Sequence, residues 1–200
     1  MIKVITKGGL LIMAQLFFIY GTMNCGKSTQ LLSTAHSYKE QGKSPLLLTP
    51  ATDTRDGVGT IKSRIGLEAQ AEVITDDFDL MNPNFFFDGY DVILVDEAQF
   101  LSAEQVDKLA EIVDTFNIPV LAYGLKNDFS NHLFTGSERL LLIADKLIEM
   151  KTTCRWCNHK AVMNLRLADN EPVYDGEQIM IGDNESYTSV CRHHYYHPAI

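Results

Sequence analysis

The chain has 200 residues, of which 46% are apolar and 22% charged, so it is long enough for one globular domain with a small appendage and too apolar for general disorder. Its 17 Lys and Arg against 26 Asp and Glu give a net charge of −9. This balance argues against duplex nucleic acid as the main partner, although a local pocket can still bind a small anion. Four cysteines are too few for a disulfide scaffold and suit a reducing, cytoplasmic compartment with one metal site.

The longest apolar run covers residues 8–20 and is interrupted by Gln15. It is too short to span a bilayer and no small-residue cleavage site follows it, so we predict neither a membrane span nor a signal peptide. Met13 resembles a start residue. Residues 1–12 are therefore interpreted as an N-terminal extension.

Strands and helices are predicted to alternate up to about residue 150. Apolar runs predict strands at 16–20, 45–49, 92–95, 119–123 and 146–150, and helical spacing or capping predicts helices at 27–41, 102–116 and 137–144. The polar, glycine-containing stretch 49–66 is predicted to be a long loop. Such alternation is typical of an α/β fold with a mostly parallel sheet, right-handed crossovers and helices on both faces.

A phosphate-binding loop is predicted between the first strand and the first helix, where GTMNCGKS fits the pattern G-x-x-x-x-G-K-[ST]. Glycines let backbone N–H groups curl around phosphate oxygens, and the positive end of the following helix points at the same anion. Lys27 would reach the outer phosphates, and the Ser28 hydroxyl would ligate Mg²⁺. We therefore predict a P-loop (RecA-like) nucleotide-binding domain over residues 13–151. The predicted phosphate-binding residues are Gly21, Thr22, Met23, Asn24, Cys25, Gly26, Lys27, Ser28 and Thr29.

An acidic pair, Asp96 and Glu97, follows the predicted strand at 92–95. Ligands of open α/β sheets bind at the carboxyl ends of the strands. Asp96 would hold Mg²⁺ there, directly or through water, as the acidic partner of the phosphate loop. Alternation along the strand would turn Glu97 to the other side, where it is free to act as a base on a hydroxyl or on water.

Residues 152–200 differ in character, because cysteine pairs, short alternating runs and turn residues predict a small antiparallel unit. We place the boundary near 151–153. Two half-sites, C-x-x-C and C-x-x-H, have the spacing of a closed tetrahedral Zn²⁺ site that would hold together a unit too small for its own core. The predicted ligands are Cys154, Cys157, Cys191 and His194. His193 is the alternative fourth ligand, and a cluster without metal is the alternative to the site as a whole.

Together these residues resemble the type II thymidine kinases, and among them the bacterial branch, from about residue 13 to 195. The ordered set of motifs is specific, whereas the phosphate loop alone is not. The matching elements are residues 21–29, Asp53-Thr-Arg55, Val95-Asp-Glu-Ala-Gln-Phe100, Tyr123-Gly-Leu-x-x-Asp128-Phe129 with Phe134, the C-x-x-C pair, and Tyr187-x-Ser-Val-Cys191-Arg192.

The resemblance implies phosphoryl transfer from ATP to the 5′-hydroxyl of thymidine or deoxyuridine, in nucleotide salvage. It implies that Glu97 is the catalytic base, that Asp53 and Ser28 serve Mg²⁺, and that Arg55 assists the phosphates. It also implies a lasso loop between the zinc half-sites that closes over the base, a homotetramer, and inhibition by thymidine triphosphate. The implied nucleoside-binding residues are Phe100, Phe129, Phe134, Asn164, Met180 and Tyr187.

The chain departs from the family pattern at three places. His194 replaces a fourth cysteine, and Asn164 and Met180 stand where small or β-branched residues are common, near the 5-position of the base. Lys126-Asn127 stands where an Asp-containing pair is frequent, and we expect this change on the surface.

Two other functions fit parts of the pattern. An ATP-driven nucleic-acid motor would explain Asp-Glu-Ala-Gln, but the charge of −9, the short chain and the lack of a second ATPase half disfavour it. A non-catalytic, zinc-stabilised nucleotide sensor would need no base, so Glu97 disfavours it.

Overall fold

The computed structural model describes residues 13–52, 57–76, 89–176, 178 and 187–200. The N-terminal extension assigned to 1–12 lies outside these ranges. The strands are β1 (Leu16–Gly21), β2 (Pro45–Pro50), β3 (Thr60–Lys62), β4 (Glu68–Gln70), β5 (Glu72–Ile74), β6 (Val92–Val95), β7 (Val120–Leu125), β8 (Lys146–Glu149), β9 (Met163–Ala168), β10 (Glu171–Val173) and β11 (Tyr187–Val190). The helices are α1 (Lys27–Glu40), α2 (Ala103–Phe116), α3 (Thr135–Ile143) and α4 (Arg192–Tyr196).

A six-stranded parallel sheet forms the centre of the fold, in the order β5-β2-β6-β7-β1-β8. All four residues of β6 are fully buried, as expected for a strand covered on both faces. Helix α1 packs on one face around Ile19, and helices α2 and α3 pack on the other around Phe18. The predicted α/β fold with helices on both faces is thereby confirmed.

Local sequence signals set the helix ends. A capping box begins α2, where the Ser102 hydroxyl accepts from the backbone N–H of Gln105 and the Gln105 side chain accepts from the N–H of Ser102. Asn117 ends this helix in the left-handed region, at φ 55°. Helix α1 ends one residue before Gln41, and Gly42 follows at φ 72°.

The loop predicted at 49–66 is wrong in part, because β3 lies inside it and forms an antiparallel hairpin with β4. Strand β5 then pairs parallel with β2 at the sheet edge, although the sequence had assigned no strand there. The reason is composition: β3 has three residues and buries only one apolar side chain, Ile61. Its pairing depends on tertiary packing, which cannot be predicted from a short polar segment alone.

A three-stranded antiparallel sheet, in the order β10-β9-β11, forms the C-terminal unit. Its core cluster includes Leu165, Val190 and Tyr195 together with two cysteines. The expected small antiparallel unit is therefore present, while the domain division at 151–153 stays a prediction. Every helix in the described part of the chain is too short or too polar to cross a bilayer.

Candidate active site and metal site

The candidate site lies where parallel strands end at one edge of the sheet. Strand β7 separates β1 from β6, and strands are about 4.8 Å apart, so the carboxyl ends of β1 and β6 are about 10 Å apart. The phosphate loop follows β1 and the acidic pair follows β6. The topology therefore brings the two predicted groups to the same edge.

The phosphate loop is folded so that it requires glycine at two places. Gly26 has φ 87°, a left-handed conformation. A Cβ on Gly21 would lie 2.6 Å from the Sγ of Cys25 and 2.8 Å from the backbone oxygen of Met150. Lys27 is buried, and its Nζ donates a hydrogen bond to the backbone oxygen of Thr22 at 3.0 Å.

Asp96 is buried beside the loop, and its electrostatics fit a cation. Burial, and then the neighbouring Glu97 carboxylate, raise the pKa of Asp96 to about 7, while a Ser28 hydrogen bond and the Lys27 ammonium oppose the rise. Its Oδ1 has no hydrogen-bond partner among the described residues. A buried, unpaired carboxylate oxygen next to the Ser28 hydroxyl is the kind of donor set that Mg²⁺ prefers.

Glu97 is oriented by a turn, because β6 ends at Val95 and strand alternation no longer applies. Its backbone has φ 47°. The Nε2 of Gln99 donates to Oε2 of Glu97, while the Oε1 of Gln99 accepts from the backbone N–H of Leu125 at 3.0 Å. Gln99 is buried and thus fixes one carboxylate oxygen of Glu97. Sequence reasoning missed this role, although the residue stands in the Asp-Glu-Ala-Gln motif.

Two aromatic pairs lie among the predicted nucleoside-binding residues. Phe100 and Phe134 meet edge to face, with ring centroids 5.7 Å apart. Phe129 meets Tyr187 at 6.1 Å, and the guanidinium of Arg166 lies 5.3 Å from the Phe129 ring centroid. Phe129 and Phe134 are buried, whereas Phe100 and Tyr187 are the half-buried members of the two pairs.

Asn164 is buried between two loops rather than presenting a free amide. Its Oδ1 accepts from the backbone N–H of Met23 at 2.8 Å, and its Nδ2 donates to the backbone oxygen of Asn127 at 3.3 Å. The expectation that Lys126-Asn127 is a surface change is wrong for Asn127, which is buried and bonded through its own side chain to Asp128 and Asn131. A polar residue in this loop is buried because the loop's backbone groups need partners. Three predicted site residues lie outside the described residues: Asp53, Arg55 and Met180.

The four predicted metal ligands come together. Their ligand atoms all lie within 4.8 Å of one another. The group consists of Cys154, Cys157, Cys191 and His194. His193, the alternative ligand, is not part of this group as the described residues are arranged.

The spacing inside the cluster fits zinc. Tetrahedral Zn²⁺, with Zn–S about 2.3 Å and Zn–N about 2.0 Å, separates two sulfurs by about 3.8 Å and sulfur from nitrogen by about 3.5 Å. The Sγ atoms of Cys157 and Cys191 are 3.8 Å apart. The Nδ1 of His194 is 3.3 Å from the sulfur of Cys154 and 3.5 Å from that of Cys191.

One thiol is already biased toward thiolate, the form that binds metal. Burial raises the pKa of Cys154, but hydrogen bonds from the backbone N–H groups of Cys191 and Trp156 and from the His194 and Cys157 side chains outweigh it and lower the pKa to about 6. His159, which sequence reasoning did not single out, lies with its Nδ1 3.4 Å from the sulfur of Cys157.

The fold and the site define a class: a P-loop nucleotide-binding protein of the phosphotransferase type, with an attached unit whose Cys and His cluster could hold a metal. Comparison with known proteins narrows this class. A sequence profile of the thymidine kinase family matches residues 14–195, and the chain belongs to that family. Thymidine kinase function follows from this membership.

Similar bacterial proteins match over nearly their whole length. The thymidine kinase of Lactobacillus acidophilus is 53% identical over 197 residues, which cover 94% of this chain and 99% of that protein. The thymidine kinase of Streptococcus gordonii is 54% identical over 190 residues, covering 94% and 99%. That of Lactococcus lactis is 53% identical over 193 residues, covering 94% and 100%.

Proposed function

We propose that the chain transfers the γ-phosphoryl group of ATP to the 5′-hydroxyl of thymidine or deoxyuridine, giving dTMP and ADP for nucleotide salvage and DNA synthesis. The observation that carries the proposal is the meeting of the phosphate loop with Asp96, whose buried Oδ1 lacks a partner among the described residues, at one sheet edge of a chain in the thymidine kinase family. Phosphoryl transfer of this kind needs positioning and charge neutralisation more than covalent chemistry.

The phosphates of ATP would be held by the loop. The backbone N–H groups of residues 24–28 and the Lys27 ammonium would neutralise phosphate oxygens, and Lys27 would exchange its bond to the Thr22 carbonyl for them. Ser28 and Asp96 would hold the Mg²⁺ that accompanies ATP, with Asp53 expected to join them and Arg55 expected on the phosphates. The ion would lower the charge repulsion between the triphosphate and the attacking oxygen.

Glu97 would orient the 5′-hydroxyl and take its proton. The carboxylate stands next to the cation-binding Asp96 but after the end of the strand, and the Gln99 amide holds one of its oxygens. A base must lie within hydrogen-bond reach of the proton that it removes, and fixing its rotamer serves that requirement.

The nucleoside would lie against the aromatic pairs. The half-buried rings of Phe100 and Tyr187, backed by the buried rings of Phe134 and Phe129, would contact the pyrimidine, and Asn164 and Met180 would border the 5-position of the base. A lasso loop between the metal half-sites would close over it.

Family membership also supports the remaining proposals. The Cys154 cluster would hold a structural Zn²⁺. We further propose a homotetramer, feedback inhibition by dTTP, a cytoplasmic location, and neither nucleic acid nor membrane as a partner.

The test is a panel of nucleosides incubated with γ-labelled ATP and Mg²⁺ and scored for monophosphate product. We expect labelled dTMP and dUMP and little product from purine nucleosides. Stimulation of ATP hydrolysis by DNA, without labelled monophosphate, would instead support the motor alternative. Nucleotide binding with neither activity would support a sensor.

A further inference from the structure

Two hydrogen bonds from the C-terminal sheet hold the phosphate loop at the backbone of Met23. The backbone N–H of Met23 donates to Oδ1 of Asn164 on β9, and its backbone oxygen accepts from the hydroxyl of Ser189 on β11. We infer that Asn164 and Ser189 are positioning residues for ATP binding, which hold the two peptide groups around Met23 so that the phosphate loop keeps its donor geometry.

The first peptide group joins Thr22 to Met23. A trans peptide is planar, with its C=O and N–H pointing in opposite directions. Asn164 holds the N–H side, and the carbonyl of Thr22 on the other side accepts from Nζ of Lys27. Asn164 therefore sets the direction of the Thr22 carbonyl, to which Lys27 donates its hydrogen bond.

The second peptide group joins Met23 to Asn24. Ser189 draws the Met23 carbonyl toward the C-terminal sheet, so the N–H of Asn24 in the same plane points away from that sheet. This N–H is the first of the donors assigned to phosphate above. Asn24 has φ 62°, a left-handed conformation that costs a non-glycine residue free energy and persists where the surroundings fix it. The Ser189 bond supplies that constraint immediately before the strained residue.

The side chains of Asn164 and Ser189 form one structural unit. Asn164 and Ser189 are directly paired across the β9–β11 register. Both are buried, and the second end of the Asn164 amide is tied to the backbone of Asn127, in the segment that follows β7. Neighbouring side chains on paired strands constrain each other's position. We call the Asn164 and Ser189 side chains the bracket, because they hold Met23 as one rigid unit and not through two independent contacts.

The test measures the Michaelis constants of Ser189→Ala for ATP and for thymidine, and its affinity for Mg-ADP by calorimetry. Deleting one partner of a buried hydrogen bond leaves the Met23 carbonyl unpaired, so we expect KM for ATP and Kd for Mg-ADP to rise about tenfold, with KM for thymidine within about twofold of wild type. Ser189→Thr keeps the hydroxyl and should restore ATP binding. Asn164→Leu, which removes the other half of the bracket, should weaken Mg-ADP binding in the same way and serves if Ser189→Ala does not fold.

The matched control is Asn158→Ala, which truncates an exposed side chain of the same C-terminal unit and should leave all three constants unchanged. Equal increases in both Michaelis constants, no change in Mg-ADP affinity, or failure of Ser189→Thr to restore it would overturn the inference. The inference rests on the proposed function, but the two can fail separately. Wild-type protein that makes no dTMP would count against the function. The Mg-ADP affinities of wild type and variants would still show whether Asn164 and Ser189 position the phosphate loop.

Discussion

At the scale of single residues, the environment of Glu97 is unusual for a carboxylate at the edge of a sheet. Its backbone is left-handed, its side chain accepts from a buried glutamine, and its charge helps to raise the pKa of Asp96. Strained backbone and closely placed carboxylates both carry a cost, and such costs concentrate at functional sites. This arrangement supports the proposed division, in which Asp96 serves the cation and Glu97 takes the proton.

Replacing Glu97 by Gln should lower kcat by about 10²-fold or more, because the amide can hold the 5′-hydroxyl but cannot take its proton. Calorimetric affinity for Mg-ADP should stay within about twofold of wild type, since Glu97 is not assigned to the phosphates. Glu104→Gln, at an exposed position in the first turn of α2, removes an equal charge and should leave turnover unchanged. Near-wild-type kcat in Glu97→Gln would remove the residue from the role of base.

Residue roles were the least predictable part of the molecule from sequence. Motif spacing was enough to select the four residues that gather in the Cys154, Cys157, Cys191 and His194 cluster, because metal ligation needs fixed residue types at fixed offsets. The roles assigned to Lys27 and Ser28 by the same kind of reasoning stay predictions. Gln99 and Ser189 act through bonds to Leu125 and Met23, partners distant in sequence. No local pattern records such a pair, so their positioning emerges only after the strands are placed.

At the scale of elements, the start of α3 is packed backbone to backbone on the turn that carries the acidic site. A Cβ on Gly136 would collide with the carbonyl oxygen of Ala98 and lie 2.8 Å and 3.0 Å from those of Leu101 and Gln99. Strand β7 continues through Gly124, where we had expected it to end, because Gly124 and Leu125 pair with Tyr20 and Gly21 of β1. A Cβ on Gly124 would lie 2.8 Å from Oε1 of Gln99. Both glycines permit close approach to the turn.

Gly136→Ala therefore tests two opposed effects. Helix propensity alone favours Ala by about 1 kcal/mol, whereas overpacking against three fixed carbonyls costs about 1–3 kcal/mol. We expect the clash to win, so that chemical denaturation gives a lower free energy of unfolding and kcat falls as the turn holding Glu97 shifts. Gly89→Ala is the control, because a Cβ there meets nothing within 4 Å. A Gly136→Ala variant with a higher free energy of unfolding and full activity would contradict this prediction, because the turn would then have moved to accept the Cβ without loss.

Strands with an apolar run were predicted well, including the mostly exposed edge strand β8, whereas the short polar strands were missed. The strands β1, β2, β6 and β7 are apolar because both sheet faces are covered, and that run of side chains is visible in the sequence. The β3–β4 hairpin and β5 bury only Ile61 and Ile74 completely. Their pairing depends on neighbours, which is information that a window of the sequence does not contain.

At the scale of the whole molecule, the C-terminal unit has little core of its own. Its central cluster of buried residues contains Leu165, Val190 and Tyr195, and the other two members, Cys154 and Cys191, are proposed metal ligands. Such a core is too small to stabilise an independent fold, whereas a structural zinc site contributes about 10 kcal/mol or more. The metal would then maintain the sheet that grips the phosphate loop and borders the nucleoside.

Removing zinc should consequently weaken the binding of both substrates, but unequally. Thymidine would lose the walls that the C-terminal unit supplies, while ATP would lose only the bracket on Met23 and keep Lys27, Ser28 and Asp96. After chelation, we expect thymidine affinity to fall more than Mg-ADP affinity, and Mg-ADP affinity to fall no further than in an Asn164→Leu/Ser189→Ala double variant. Calorimetry with each ligand, before and after zinc is restored, measures this. Equal losses for the two ligands would contradict it, because the metal would then be supporting the parallel sheet itself rather than the unit attached to its edge.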